Sequence, residues 1–147
     1  MKGITFLVCM LIPVAVFASG GGGGGYSRRE SPPSLQEIKK TIDDKKYDEA
    51  IKELKTYTGK NPASADAYTY LGFANRKSGR LPEAFKAYEK ALKLDPKHLG
   101  AREYLGEAYL MNKEPDKARA LLGELQGLCG NCEEYRDLEK AIKADHH

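Results

Sequence analysis

Residues 65–98 read ADAYTYLGFANRKSGRLPEAFKAYEKALKLDPKH, and the stretches on either side repeat its landmarks at one fixed interval. Ala50, Ala84 and Ala118 stand 34 residues apart, each just after an aligned triplet: Tyr47-Asp48-Glu49, Leu81-Pro82-Glu83 and Pro115-Asp116-Lys117. In the same register Gly72 aligns with Gly106, Tyr70 with Tyr104, Leu71 with Leu105, and Pro62 and Pro96 with Gly130. A constant period of this length, with small residues at recurring positions, marks stacked helix-turn-helix units rather than one globular core.

Local signals inside the quoted stretch place the helices. Ser64 is a helix N-cap, and Tyr68, Leu71, Gly72 and Asn75 fall on one stripe of the helix it opens. Gly79 stops that helix, because glycine takes a left-handed conformation without steric cost. Pro82 sits near the first position of the next helix, where its missing N–H is harmless. Ala84, Tyr88, Ala91 and Leu92 form the inner stripe there, and Asp95-Pro96 closes it. Small residues at 72 and 84 predict close approach of the two axes, with Ala84 against the facing helix near Gly72.

Tyr68, Leu71-Gly72, Ala84, Tyr88, Ala91 and Pro96 match the tetratricopeptide repeat pattern, and the chain resembles that family over about residues 31–140, roughly three quarters of its length. The resemblance implies an all-α solenoid of about three repeats, at 31–64, 65–98 and 99–132, with a capping helix at 133–143; the whole repeat domain is 34–143. Repeat three keeps Leu105-Gly106, Tyr109, Ala118 and Leu122. Repeat one diverges, with Ile38 at the signature glycine position and Tyr57 where repeat two has Ala91, as terminal repeats commonly do. In the last segment Tyr135, Leu138 and Ile142 make one apolar stripe on a charged rod, the form of a solvating end helix.

The N-terminal segment differs in kind. Lys2 precedes an apolar run from Ile4 to Phe17, and Val16-Phe17-Ala18 offers the small residues a signal peptidase reads, so 1–18 is expected to be a signal peptide. The run is short for a transmembrane helix, and no stable membrane insertion is expected after cleavage. Residues 19–33, with six consecutive glycines at 20–25, read as a flexible tether. The 24 basic and 21 acidic residues give a net charge of +3, a balance that does not favour a nucleic-acid partner. Export, to the periplasm of a bacterium or the exterior, is the expected destination.

Removal of Cys9 with the signal leaves Cys129 and Cys132, and an even, closely spaced pair in an exported chain reads most simply as a disulfide. The pair stands where Asp95-Pro96 stands one repeat earlier, so a small covalent ring would fix that bend. A redox-active Cys-x-x-Cys is the second reading, although no strand pattern precedes it. His146 and His147 are adjacent and lack the spacing of a zinc pair; no metal and no cofactor is expected. His98 lies in an inter-repeat turn and is expected to be solvated, and Asp43-Asp44 reads as a solvated helix end. No catalytic set emerges.

The resemblance places function on the concave face lined by the first helix of each repeat. Carried over by position, that face holds Lys39 with Leu35 and Ile42 in repeat one; Asp66, Thr69, Phe73, Arg76 and Lys77 in repeat two; and Glu103, Glu107, Leu110 and Met111 in repeat three. Phe73 is either a contact anchor or a packing residue, and Arg76→Ala is expected to spare the fold while weakening a partner. The chaperone-binding members of the family grip a C-terminal carboxylate with a basic and asparagine clamp; the matching positions here are Leu35, Lys39, Thr69 and Phe73, which do not supply it. The resulting expectation is an exported, non-enzymatic scaffold for a protein or peptide, with a homo-oligomer allowed by the small number of repeats. A thiol-disulfide helper using Cys129 and Cys132, and a membrane-tethered structural adaptor, are the alternatives.

Overall fold

Ser34 opens the first helix with a capping box: its hydroxyl accepts from the Glu37 N–H at 3.3 Å while the Glu37 carboxylate accepts from the Ser34 N–H at 2.7 Å. From there the structure, a computed structural model describing residues 32–145, runs through seven helices and no strand among the described residues. They are α1 (Leu35–Asp43), α2 (Tyr47–Lys60), α3 (Ala65–Lys77), α4 (Leu81–Leu94), α5 (Leu99–Met111), α6 (Pro115–Cys129) and α7 (Glu133–Asp145). The expected signal peptide at 1–18, residues 19–31 of the expected tether, and His146-His147 lie outside the described residues.

The turn inside each helix pair is built the same way three times. The N–H groups of Lys46, Arg80 and Glu114 donate to the carbonyls of Thr41, Asn75 and Tyr109, while those of Lys45, Gly79 and Lys113 donate to Ile42, Arg76 and Leu110. This double bond pattern is a Schellman closure, which requires a left-handed residue after the cap. Gly79 takes it at φ 75°, and Lys45 and Lys113 take it at φ 61° and 62° despite their Cβ atoms. Lys45→Gly is therefore expected to gain about 0.5–1 kcal/mol, and Gly79→Ala to lose about 1–2 kcal/mol, once the change in unfolded-chain freedom is included. Thermal melts of the two single variants check this; a loss in Lys45→Gly would count against strain at that turn.

Ala50, Ala84 and Ala118 are all fully buried, so the small-residue register marks the true inner line of α2, α4 and α6. The close approach expected at Gly72 is present. A Cβ built there would stand 2.4 Å from Cε1 of Tyr88, so the ring of that fully buried tyrosine lies against the glycine.

Helices pack α1 on α2, α3 on α4 and α5 on α6, and each pair packs on the next. In addition α1 touches α3, α3 touches α5 and α5 touches α7, whereas α2, α4 and α6 make no such contacts with one another. The first helices therefore crowd together on the inner side of the curve and the second helices fan apart on the outer side. Helix α7 joins the inner row: Leu138 follows Tyr104 by one period and Ile142 follows Ala108. A Cβ on Gly106 would stand 2.6 Å from Leu138 Cδ1, so α7 lies tight against α5. None of the helices among the described residues is long and apolar enough to cross a membrane.

Candidate functional site

A cleft of about 470 Å³ opens on the inner row, lined by Arg76 of α3, Glu107, Leu110 and Met111 of α5, Lys113 after it, and Ala141, Ala144 and Asp145 of α7. Four residues expected on the concave face from sequence thus meet in one place. Met111 is 49% exposed, an apolar side chain left to solvent at the rim. The contribution of α7 was not anticipated from its charged, cap-like sequence; its signal was the recurrence of the 34-residue register through Leu138 and Ile142.

Aromatic rings continue the cleft along the row. Phe73 packs against Tyr104 at 5.1 Å between ring centres and against Tyr47 at 6.4 Å. The Arg76 guanidinium lies 5.4 Å from the centre of the Phe73 ring and 5.8 Å from that of Tyr104, and the Lys77 ammonium lies 5.3 Å from Phe73 on an exposed side chain. Phe73, half-buried and ringed by these partners, packs between neighbouring helices. Such cation and ring contacts contribute more when water is excluded from them.

The depth of several residues departs from the surface expected of them. Arg76 is only 5% exposed and pairs through Nη2 with Glu107 Oε2, while its Nε has no hydrogen-bond partner among the described residues. Thr69 is buried and its hydroxyl donates to the Ala65 carbonyl at 3.0 Å; Leu110 is buried in the core. These three are packing residues first, with Arg76 presenting only its edge to the cleft. Lys39 is exposed on α1 beside Leu35, Gln36 and Tyr70, apart from the α3–α5–α7 cleft.

His98 also departs from expectation, being a structural cap rather than a solvated turn residue. Its Nδ1 accepts from the Ala101 N–H at 3.1 Å, opening α5, while Nε2 stands 2.9 Å from Asp66 Oδ1 and 3.4 Å from Thr69 Oγ1. Asp66 is thus engaged in tying α3 to α5. A histidine ring satisfies one of the open N–H groups at a helix start as a serine would.

Glu103 of α5 is 8% exposed. Burial, reinforced by the carboxylates of Glu107, Asp137 and Glu134 and opposed by Arg76, pushes its carboxyl up to about 8 from 4.5. A carboxyl whose folded value lies above its unfolded one favours the fold fully below pH 4.5 and loses that contribution as pH rises through 8. Because part of the group still meets water, the loss between about pH 5 and 9 is expected to be about 1–2 kcal/mol. Glu103→Gln keeps the neutral form throughout, so its melting temperature relative to the parent should climb with pH. A constant offset across the series would refute the buried neutral acid.

At the turn between α6 and α7 the Cα atoms of Cys129 and Cys132 are 5.7 Å apart, and Gly130 between them has φ 69°. Cys132 occupies the position that Ser64 and His98 hold before α3 and α5, one period on each time.

Comparison with known proteins follows the same lines. Two tetratricopeptide repeat models match residues 43–98 and 75–142, together about two thirds of the chain. Hsp70-Hsp90 organizing protein 3 of Arabidopsis thaliana is 35% identical over 75 residues, covering 51% of this chain and 13% of that protein, so the chain spans only a small part of that relative. Among solved structures, the Yersinia enterocolitica type III secretion chaperone SycD, in complex with a peptide of the translocator YopD, superposes with a TM-score of 0.65 at 19% identity, covering 75% of this chain and 84% of SycD. The second tetratricopeptide domain of human RPAP3, in complex with an HSP70 peptide, gives 0.66 at 19% identity, with 74% and 90% covered. With a 34-residue register, paired helices closed by the same turn and two matching repeat models, the chain belongs to the tetratricopeptide repeat family.

Proposed function

We propose that the repeat domain is a non-enzymatic scaffold that holds an extended or helical segment of another protein along its inner face. The observation that carries this reading is the α3–α5–α7 cleft, where exposed Met111, with Ala141 and Ala144 of α7, supplies apolar surface beside charged rims. Apolar anchors surrounded by polar groups are the usual distribution of binding energy in such contacts. The peptide complexes of SycD and RPAP3 support it by analogy of fold. Capture of a chaperone's acidic tail fits less well, because Leu35, Lys39, Thr69 and Phe73 stand where a basic and asparagine clamp is needed.

The proposal extends to location and to the cysteine pair. The apolar run from Ile4 to Phe17 supports export, and a Cα separation of 5.7 Å lies within the range a disulfide spans. We assign Cys129 and Cys132 a stapling role at the α6–α7 turn, holding α7 where it completes the cleft. Intact-mass measurement with and without reductant decides the bond, and a mature N-terminus near Ser19 decides the leader.

Nuclear magnetic resonance mapping with peptides selected from a random library tests the groove. Shifts should gather at Phe73, Tyr104, Glu107, Met111 and Ala141, and Met111→Ser should weaken binding about tenfold while stability stays within about 0.5 kcal/mol. Shifts confined to the outer faces of α2, α4 and α6 would overturn the assignment.

A further inference from the structure

Met111 is the last residue of α5 and, half exposed, lines the α3–α5–α7 cleft together with Arg76. The two side chains touch. Arg76 Nη1 directs a hydrogen at Met111 Sδ across 4.0 Å, from a guanidinium that lies against the rings of Phe73 and Tyr104. Its Nη2 faces Glu107 and its Nε has no hydrogen-bond partner, so the thioether is the acceptor left to Nη1 among the described residues. Sulfur is a weak acceptor, and a cation as deeply buried as Arg76 is therefore short of hydrogen-bond partners at the wall of the cleft.

Packing alone does not explain a thioether at this place. Leucine would give the rim a similar apolar area without directing a sulfur at a guanidinium. What methionine adds is a flexible side chain whose sulfur can take up an oxygen atom. Met111 is also the one methionine within residues 32–145, since Met1 and Met10 precede the repeat domain.

Building on the reading of the inner face as a peptide groove, we propose that Met111 is an oxidation site that regulates it: a peroxide converts the thioether to the sulfoxide, and Arg76 then holds the new oxygen at the rim. The sulfur lone pair attacks one oxygen of hydrogen peroxide, and the S–O bond forms as the O–O bond breaks. The proton on the transferred oxygen passes to the departing hydroxide, which leaves as water. Sulfur is oxidised by two electrons and the peroxide is reduced by two. The product oxygen is the strong acceptor that Nη1 lacks, and its bond to a charged donor is of the tighter kind. Because the side chain is exposed and turns about three bonds, that oxygen can swing inward and bridge the gap now left between sulfur and Nη1. An apolar anchor then becomes a polar group tied to a cation, and an apolar residue of the partner loses its seat.

The test uses the full chain, hydrogen peroxide and a fluorescein-labelled peptide taken from the random-library selection. After mild treatment, peptide mapping should find one added oxygen on Met111, while circular dichroism keeps the helical signal. The Arg76 guanidinium resonances should move in nuclear magnetic resonance spectra, since Nη1 has exchanged a sulfur acceptor for an oxygen. Fluorescence anisotropy should show the peptide binding about tenfold more weakly to the oxidised chain. The two methionine sulfoxide reductases, one for each epimer, should restore the affinity. Met111→Leu carries no sulfur at the rim, so its affinity, whatever its level, should be the same before and after peroxide; a loss there would assign the effect to another residue and overturn the proposal. Met111 left unoxidised where N-acetylmethionine amide reacts, Arg76 resonances that stay in place, or helicity lost on oxidation would each overturn it as well. Full peptide affinity in the oxidised chain would overturn the regulation and leave the groove standing. If no library peptide bound either form while the Arg76 resonances moved, the groove and its regulation would fall, and the oxidation site held by Arg76 would stand.

Discussion

Gly72→Ala is expected to lower the melting temperature by about 4–12 °C, although alanine is the better helix former. The helix gain is about 1 kcal/mol, but the new Cβ would stand 2.4 Å from the ring of Tyr88. That ring cannot swing away, since Tyr88 is fully buried among Ala84, Leu105, Ala108 and Ala118 in one cluster. Either α3 and α4 separate or the tyrosine leaves its rotamer; overpacking of this type costs about 1–3 kcal/mol or more, net of the helix gain, and about 4 °C accompanies each kcal/mol in a domain of this size. Gly123→Ala is the control, for a Cβ there meets nothing within 4 Å in the middle of α6. The same chemical change should there raise the melting temperature by a few degrees. Parallel thermal melts followed by circular dichroism check both, and a stable Gly72→Ala would show that the two helices can part without loss.

Arg76→Ala should unfold the domain more readily rather than leave it untouched as its place in the repeat register suggests. The substitution removes a cation held between Phe73 and Tyr104 and leaves Glu107 beside Glu103 with no opposing charge. Breaking a buried pair from one side costs up to about 3–5 kcal/mol, and the partial exposure of Glu107 brings the expected loss to about 2–3 kcal/mol. Arg76→Ala with Glu107→Gln should recover part of it, because the orphaned carboxylate is then gone. Denaturant melts of the single and double variants decide this. A single variant as stable as the parent would mean that the pair and the ring contacts contribute nothing net.

Periodicity located the helices because Ala50, Ala84 and Ala118 are small for one reason, the approach of a neighbouring helix. Arg76, Glu107, Leu110 and Met111, which the register puts on the inner row, line one cleft. Depth was not legible in the same way. A position in a repeat gives the face of a helix, while burial depends on what the next helix lays over it. Glu103 and Arg76 are both buried, and Arg76 lies against the rings of Phe73 and Tyr104. The role of His98 escaped for a different reason, since imidazole is an uncommon helix cap and its partners Asp66 and Thr69 lie about thirty residues earlier in the chain. Lys45 and Lys113 hid the strained turn because only Gly79 shows its conformation in its composition.

The buried side chains fall into two groups that meet at one seam. Ile38, Ile42, Ala50, Ile51, Leu54, Ala67 and Ala74 form the first, and Ala84, Tyr88, Leu105, Ala118, Leu125 and Leu138 belong to the second. Phe73 packs on the first and Tyr104 on the second, so their ring contact joins the two. In a stack where each unit touches only its neighbours, such a seam lets one end open without the other. Amide protons of α1 and α2 can then exchange with solvent through a local excursion in which α5, α6 and α7 stay closed. The cleft spans that boundary, with Arg76 reaching it from α3 and its other lining coming from α5, the turn after it and α7, so a partner seated there would tie the two groups together.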